Sequence, residues 1–235
     1  MRSSINKQKP NVVKTLTKEI QEKITPQQSL EILKEGNTRF IQNLKVNRNL
    51  LEQVNKTSGG QWPFAVILSC IDSRTSAELI FDQGLGDIFS IRIAGNIIND
   101  DILGSMEFAC KVAGSKFIVV LGHKKCGAIK GACDHVQMGH LSGVLAKIEP
   151  AMHEETTTKQ NRNSGNEEFV ENVARINVVR TVHDILNRSN IVREMVEEGK
   201  IGICGAMYDV ATGQVEFYED TIIINEPQEA ETMTA

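Results

Sequence analysis

The run Ala65-Val66-Ile67-Leu68-Ser69-Cys70-Ile71-Asp72-Ser73-Arg74 decides how the rest of the chain is read. Small and apolar residues lead straight into a thiol, a carboxylate and a guanidinium. An apolar run this short, bounded by polar residues, predicts a strand buried on both faces. Cys70 then falls where the strand ends, and open α/β sheets carry their chemistry at the carboxyl ends of strands. A second run, Phe117 to Leu121, leads into Gly122-His123-Lys124-Lys125-Cys126-Gly127. One strand ends in C-x-D and the other in H-x-x-C.

Together these endings offer two thiolates, an imidazole and a carboxylate, a donor set that suits tetrahedral Zn²⁺. Thiolates argue against Mg²⁺ or Ca²⁺, which take oxygen ligands. Either ending alone reads better as packing, because cysteine beside a strand is commonly a small buried hydrophobe. Two such endings on matching strands point to a metal site.

These motifs, with Ile91-Arg92-Ile93-Ala94-Gly95-Asn96, resemble the β-class carbonic anhydrases. The likeness runs from about Gln61 to Gly131 and more loosely from Asn37 to the last strands. It implies reversible hydration of CO₂ to bicarbonate and a proton, on Zn²⁺ held by Cys70, His123 and Cys126. Water bound to such an ion reaches a pKa of about 7. Asp72 either binds the metal or accepts a hydrogen bond from its water, and Arg74 is placed to hold Asp72 away in a bidentate pair. In the resembled family that pair marks the open, active state, and a metal-bound carboxylate the closed one.

The likeness also implies that Gln61 reaches in from a neighbouring subunit to bind substrate or product. Phe89 matches an apolar wall suited to uncharged CO₂, and the Gly127 N–H matches a donor to bicarbonate. Gly95, Asn96 and Gly127 read equally well as turn residues. Phe108 stands where plant-like relatives often carry Tyr, and a phenyl ring passes no proton. His135, His140, His153 and His183 are left as shuttle candidates or ordinary surface histidines. One branch of the family builds a second bicarbonate site with a Trp where this chain has Ile67, although Arg92 matches that site's arginine. This chain resembles the plant-like branch that lacks the Trp.

A chain of 235 residues with 40% hydrophobic and 24% charged residues has the makings of a soluble α/β protein of one or two domains. A net charge of -4 gives no reason to expect nucleic acid or an anionic membrane as partner. No apolar run approaches a membrane span, and Met1 to Pro10 shows no secretory pattern. A signal peptide already removed stays open. Five scattered cysteines are not a disulfide scaffold and fit a reducing cytoplasm. Cys110 and Cys204 read as packing, and Cys133 as packing or a substitute ligand.

Taken in order, residues 1–54 read as an N-terminal helical arm. Val12, Val13, Leu16 and Ile20 mark one helix. Thr25-Pro26-Gln27-Gln28 opens another as a capping box, with Leu30, Ile32, Leu33 and Phe40 on its apolar face. The arm has little core of its own. It reads as an arm that packs on a partner protomer, as in the resembled family, with this chain's own sheet as the alternative cover. Asn55 to Gly60 reads as a loop. Residues 55–225 read as the zinc-binding domain, with strands at 65–69, 87–93, 116–121, 201–210 and 214–218. Helices fall at 75–81, from Asp100 or Asp101 to Gly114, from Gly127, at 170–187 and at 191–198. Glu154 to Glu168 reads as a solvated loop, and 226–235 as a flexible acidic tail. Strand–helix alternation predicts a mainly parallel central sheet flanked by helices. Ala211-Thr212-Gly213 adds an antiparallel edge strand.

The leading reading is a zinc lyase working as a homodimer or homotetramer. A hydrolase of CS₂ or COS on the same site, and a structural zinc protein with Asp72 as permanent fourth ligand, are the alternatives.

Overall fold

A computed structural model describes residues 15–226 of the chain. Five strands form one sheet in the order β2-β1-β3-β4-β5, with β1 Ala65–Ser69, β2 Ile88–Arg92, β3 Phe117–His123, β4 Gly202–Tyr208 and β5 Val215–Phe217. β1 to β4 run parallel, and β5 closes the edge antiparallel to β4. Every residue of β1, β3 and β4 is buried. Their alternating side chains therefore feed two cores. Val66, Leu68, Ile118, Val120 and Ile203 point to one. Ile67, Phe117, Val119, Leu121 and Cys204 point to the other. This is the physical meaning of an unbroken apolar strand: both faces are covered.

Ten α-helices lie among the described residues: α1 Lys18–Lys23, α2 Pro26–Ile41, α3 Leu50–Thr57, α4 Ala77–Ile80, α5 Asp100–Glu107, α6 Gly127–Cys133, α7 Gly139–Leu145, α8 Glu149–Glu154, α9 Glu167–Arg188 and α10 Asn190–Glu197. The first core is covered by α5, α6, α8, α9 and α10, the second by α2 and α4. α9 lies closest to the sheet. A methyl group on Gly122 would stand 2.5 Å from Val178, and one on Gly205 2.7 Å from the same side chain. The helix sits where it does because both strands are bare at that point.

The Thr25 capping box forms as read, with Thr25 accepting from the Gln28 N–H and Gln28 accepting from the Thr25 N–H. Leu30 and Leu33 are fully buried in the second core beside Ile67 and Phe117, so α2 packs on this chain's own sheet. Gln21 of α1 donates to Pro63 O at 2.6 Å and Ala113 O at 2.8 Å. Asn37 of α2 donates to Gly213 O and accepts from the Val215 N–H, tying the helix to the terminal hairpin. Val12 and Val13, and the tail beyond Glu226, lie outside the described residues.

Several boundaries differ from the sequence reading. Residues expected as a loop at 55–60 begin inside α3, which Asn49 caps by accepting from the Glu52 N–H and a Lys56–Glu52 pair supports one turn on. The cap of α5 is Asn99, accepting from the Ile102 N–H, and Asp100 and Asp101 fill the first turn instead. β3 continues through His123, two residues beyond its apolar run. Asp87 precedes β2 and is buried, its carboxylate accepting from the Gly84 N–H. α9 starts three residues early because Asn166 caps it. The loop after α8 is solvated except at its anchor, Glu155, which is buried and gathers Thr157, Thr158 and Arg162 around its carboxylate.

Candidate metal centre and active site

β1 and β3 are adjacent and parallel, with Ser69 opposite Leu121. Cys70 and His123 therefore emerge at the same end of the sheet. Lys125 adopts a left-handed conformation (φ 57°), unusual for lysine, and this turn brings Cys126 back toward the strand end. The turn is pinned by the Lys124 N–H on Tyr208 O at 2.9 Å and the Lys125 N–H on Glu171 Oε1 at 3.1 Å.

The ligand atoms of Cys70, His123 and Cys126 lie within 4.8 Å of one another, and all three residues are buried. The two Sγ atoms are 3.9 Å apart. His123 Nδ1 is 2.9 Å from Lys124 O. A carbonyl only accepts, so Nδ1 carries the proton and Nε2 presents its lone pair. Nε2 is buried and has no hydrogen-bond partner. An orphaned lone pair beside two sulfurs fits a borderline-soft divalent ion, which would satisfy all three. Among the described residues this is the one such grouping, and buried Cys133, on the last turn of α6, is outside it. The substitute-ligand reading of Cys133 is thereby corrected.

The cluster is primed to hold negative charge. The neighbouring Cys126 thiol and, to a lesser degree, the Gly95 N–H hold the Cys70 thiol well below the usual range, against the opposing effect of burial. Cys126 is pushed up by Cys70 and by burial.

Asp72 follows Cys70 by two residues, with its Oδ2 3.9 Å from His123 Nε2. Arg74 grips both carboxylate oxygens, Nε on Oδ1 at 2.9 Å and a terminal NH₂ on Oδ2 at 2.7 Å, while its backbone N–H adds a third bond to Oδ1 at 2.9 Å. These bonds hold the Asp72 carboxyl far below the usual carboxylate range. Thr75, missed in the sequence reading, and Arg92, read there only as a match to a second bicarbonate site, keep this loop in shape. Thr75 Oγ1 donates within reach of both Cys70 O (2.9 Å) and Asp72 O (2.8 Å), and Arg92 donates to the same two carbonyls at 3.1 and 2.6 Å.

A family model described as carbonic anhydrase matches residues 65–215. Carbonic anhydrase 2 of Mycobacterium tuberculosis is 36% identical over 197 residues, covering 80% of this chain and 91% of that one. The crystal structure of the β-carbonic anhydrase CafA of Aspergillus fumigatus is 26% identical, with a TM-score of 0.65 over 81% of this chain and 89% of that chain. The chain belongs to the β-class carbonic anhydrases. Two tetrameric β-carbonic anhydrases of Sordaria macrospora share the fold, with one chain matching at 24% identity and TM-score 0.62, over 70% of this chain and 85% of that one.

The remaining residues singled out for this carbonic anhydrase are placed less uniformly. Gly127 opens α6 directly after Cys126, with open space where a side chain would stand. Gln61 is exposed and precedes β1, whereas Cys70 follows it. The five-residue strand between them separates the two by about 16 Å at 3.3 Å per residue. Phe89 pairs with Val66, well short of the strand end, so neither residue reaches its own chain's cluster. Phe89 stacks edge-on against Phe108, ring centres 6.3 Å apart, beside an open groove of ≈ 590 Å³ that runs along α5. His135, His140, His153 and His183 are all exposed and away from the cluster. No helix among the described residues is long and apolar enough to cross a membrane.

Proposed function

We propose that this carbonic anhydrase hydrates CO₂ reversibly to bicarbonate and a proton at a zinc ion held by Cys70, His123 and Cys126. The observation that carries the reading is the buried, unpartnered His123 Nε2 facing two clustered thiols. Zinc, when bound, supplies the Lewis acidity that makes water a nucleophile near neutral pH. Three protein donors would leave such an ion a position open to water, the pattern of catalytic rather than structural sites.

The chain's own groups do the rest. Asp72, ionised and clamped by Arg74, accepts a hydrogen bond from the reacting water and orients its lone pair toward CO₂. Three bonds from Arg74 oppose a shift of Asp72 onto the metal, which favours the catalytic reading over a four-ligand structural site. The Gly127 N–H, opening a helix, is placed to donate to a bicarbonate oxygen. Gln61 and Phe89 act across a subunit boundary, each completing the partner's site in a homodimer or larger assembly. In support, both lie away from their own cluster, and among the described residues β2 is an edge strand, with exposed Phe108 stacked on its Phe89.

Stopped-flow CO₂ hydration by the purified chain, before and after chelation and with zinc restored, tests the reading. Activity lost on chelation and regained with zinc is the expected result. A zinc-loaded protein without hydration activity overturns it.

A further inference from the structure

The segment Ala94-Gly95-Asn96 crosses behind the cluster as a single tight turn, and Gly95 lies there with φ 70° and ψ 15°. Its N–H points at Cys70 Sγ, 3.4 Å away. Its carbonyl accepts from Asn177 Nδ2 at 2.9 Å. Asn177 is a buried polar residue in the middle of α9, eighty-two positions along the chain. A carbonyl only accepts, so the amide face of Asn177 that meets Gly95 must be its NH₂.

The turn requires a glycine twice over. The backbone is left-handed, and a methyl group there would stand 2.7 Å from Ile148 Cδ1. That requirement carries a liability: glycine is the residue least able to hold one conformation by itself. Asn177 supplies the missing restraint. By fixing the peptide that follows Gly95, it fixes the direction of the N–H that precedes it.

We infer that Asn177 is a positioning residue for the metal centre, holding the Gly95 N–H on the Cys70 sulfur so that this thiolate donates less charge to the bound ion. The inference rests on Cys70, His123 and Cys126 being the ligands. A hydrogen bond to a thiolate stabilises its lone pairs. It therefore weakens their donation and leaves the ion a stronger Lewis acid; hydrogen-bonded partners of ligands tune other metal sites as well. The effect matters most with two thiolates in the set, since they leave the ion formally neutral.

The full chain loaded with Co²⁺ reports this directly through its sulfur-to-cobalt charge-transfer band. In Asn177→Ala and Asn177→Asp the band should move to longer wavelength, because the Cys70 lone pairs rise in energy. In the zinc form the midpoint of the pH profile for hydration should rise. A purely structural role for Asn177 would lower Tm and leave the band where it is, so an unmoved band in a metal-loaded variant overturns the inference. A wild-type protein showing no such band would instead overturn the ligand assignment. Should neither variant fold, wild-type protein loaded with NMR-active cadmium decides the matter. Scalar coupling between the Gly95 amide proton and the metal, passed through sulfur, supports the inference, and its absence overturns it.

Discussion

Arg74 binds Asp72 with three hydrogen bonds, two from the guanidinium to separate carboxylate oxygens and one from its own backbone N–H. A fork-to-fork pair two residues apart is possible only because the chain turns sharply after β1, and Thr75 and Arg92 hold that turn. The pair faces the buried cluster on one side and solvent on the other. Its consequence is a carboxylate kept ionised and kept in place.

Arg74→Ala should therefore lower CO₂ hydration by at least about tenfold while metal content stays at that of wild type. Stopped-flow rates and metal analysis on the same sample check both halves. Because the folded Asp72 titrates below its unfolded value, the pair's stabilisation is complete above about pH 4 and is lost only as pH falls further. Wild-type activity near neutral pH should accordingly not reflect Asp72 protonation. Rates equal to wild type in Arg74→Ala would remove the pair from the mechanism.

Cys126→Ala should abolish bound metal and hydration together, whereas Cys133→Ala, about two helix turns on at the far end of α6, should retain both. Elemental analysis after dialysis distinguishes them. Equal metal in the two variants would contradict the ligand set.

Glu155 offers a test of stability against pH. Burial pushes its carboxyl up, but Thr157, Thr158 and Arg162 outweigh that and leave it at about 2. An unfolded glutamate titrates near about 4.3. The folded pKa is the lower one, so this contribution is complete above about pH 4.5 and lost as pH falls toward 2. Glu155→Gln should cost about 2–3 kcal/mol at pH 7 and show a shallower acid limb. Urea melts between pH 7 and pH 3 measure this, and parallel acid limbs would assign the titration to another group.

Gln61 is a matter of which chain it serves. Gln61→Ala should lower hydration, and Cys126→Ala should eliminate it. Mixing and re-equilibrating the two variants should then recover activity, because a Gln61→Ala chain with an intact metal site borrows Gln61 from its partner. A mixture no more active than its parts would place the function of Gln61, if any, elsewhere.

Bicarbonate itself should not act as a cooperative inhibitor. Ile67 is wholly buried in the sheet and offers no donor, and Arg92 is engaged by the Cys70 and Asp72 carbonyls. Hydration rates should follow pH as a single titration at any bicarbonate concentration. A steep, bicarbonate-dependent loss on acidification would show that Arg92 leaves those carbonyls.

Much of this molecule was legible in its residues. Strands β1, β3 and β4 are buried on both faces, so they had to appear as short unbroken apolar runs. A thiolate–imidazole metal site can be built only from Cys and His, so Cys70, His123 and Cys126 stood out by type and spacing. Asp72 and Arg74 are neighbours in the chain, and their pairing needed no fold to suggest it. The arm helix α2 was recognisable from its capping box, but its place was not. An apolar stripe demands a cover without naming it, and only the packed structure shows Leu30 and Leu33 against this chain's own sheet. The parts that escaped reading share one feature: they run through backbone groups, which every residue possesses. The Lys124 carbonyl sets the tautomer of His123, the Cys70 and Asp72 carbonyls hold Arg92, and the Gly95 peptide links Cys70 to Asn177. No side-chain type announces such a partner, and eighty-two residues separate the two ends of the last link. Those contacts exist only once parallel strands and α9 have been brought together by burial of their apolar faces, and that step is where tertiary structure decides.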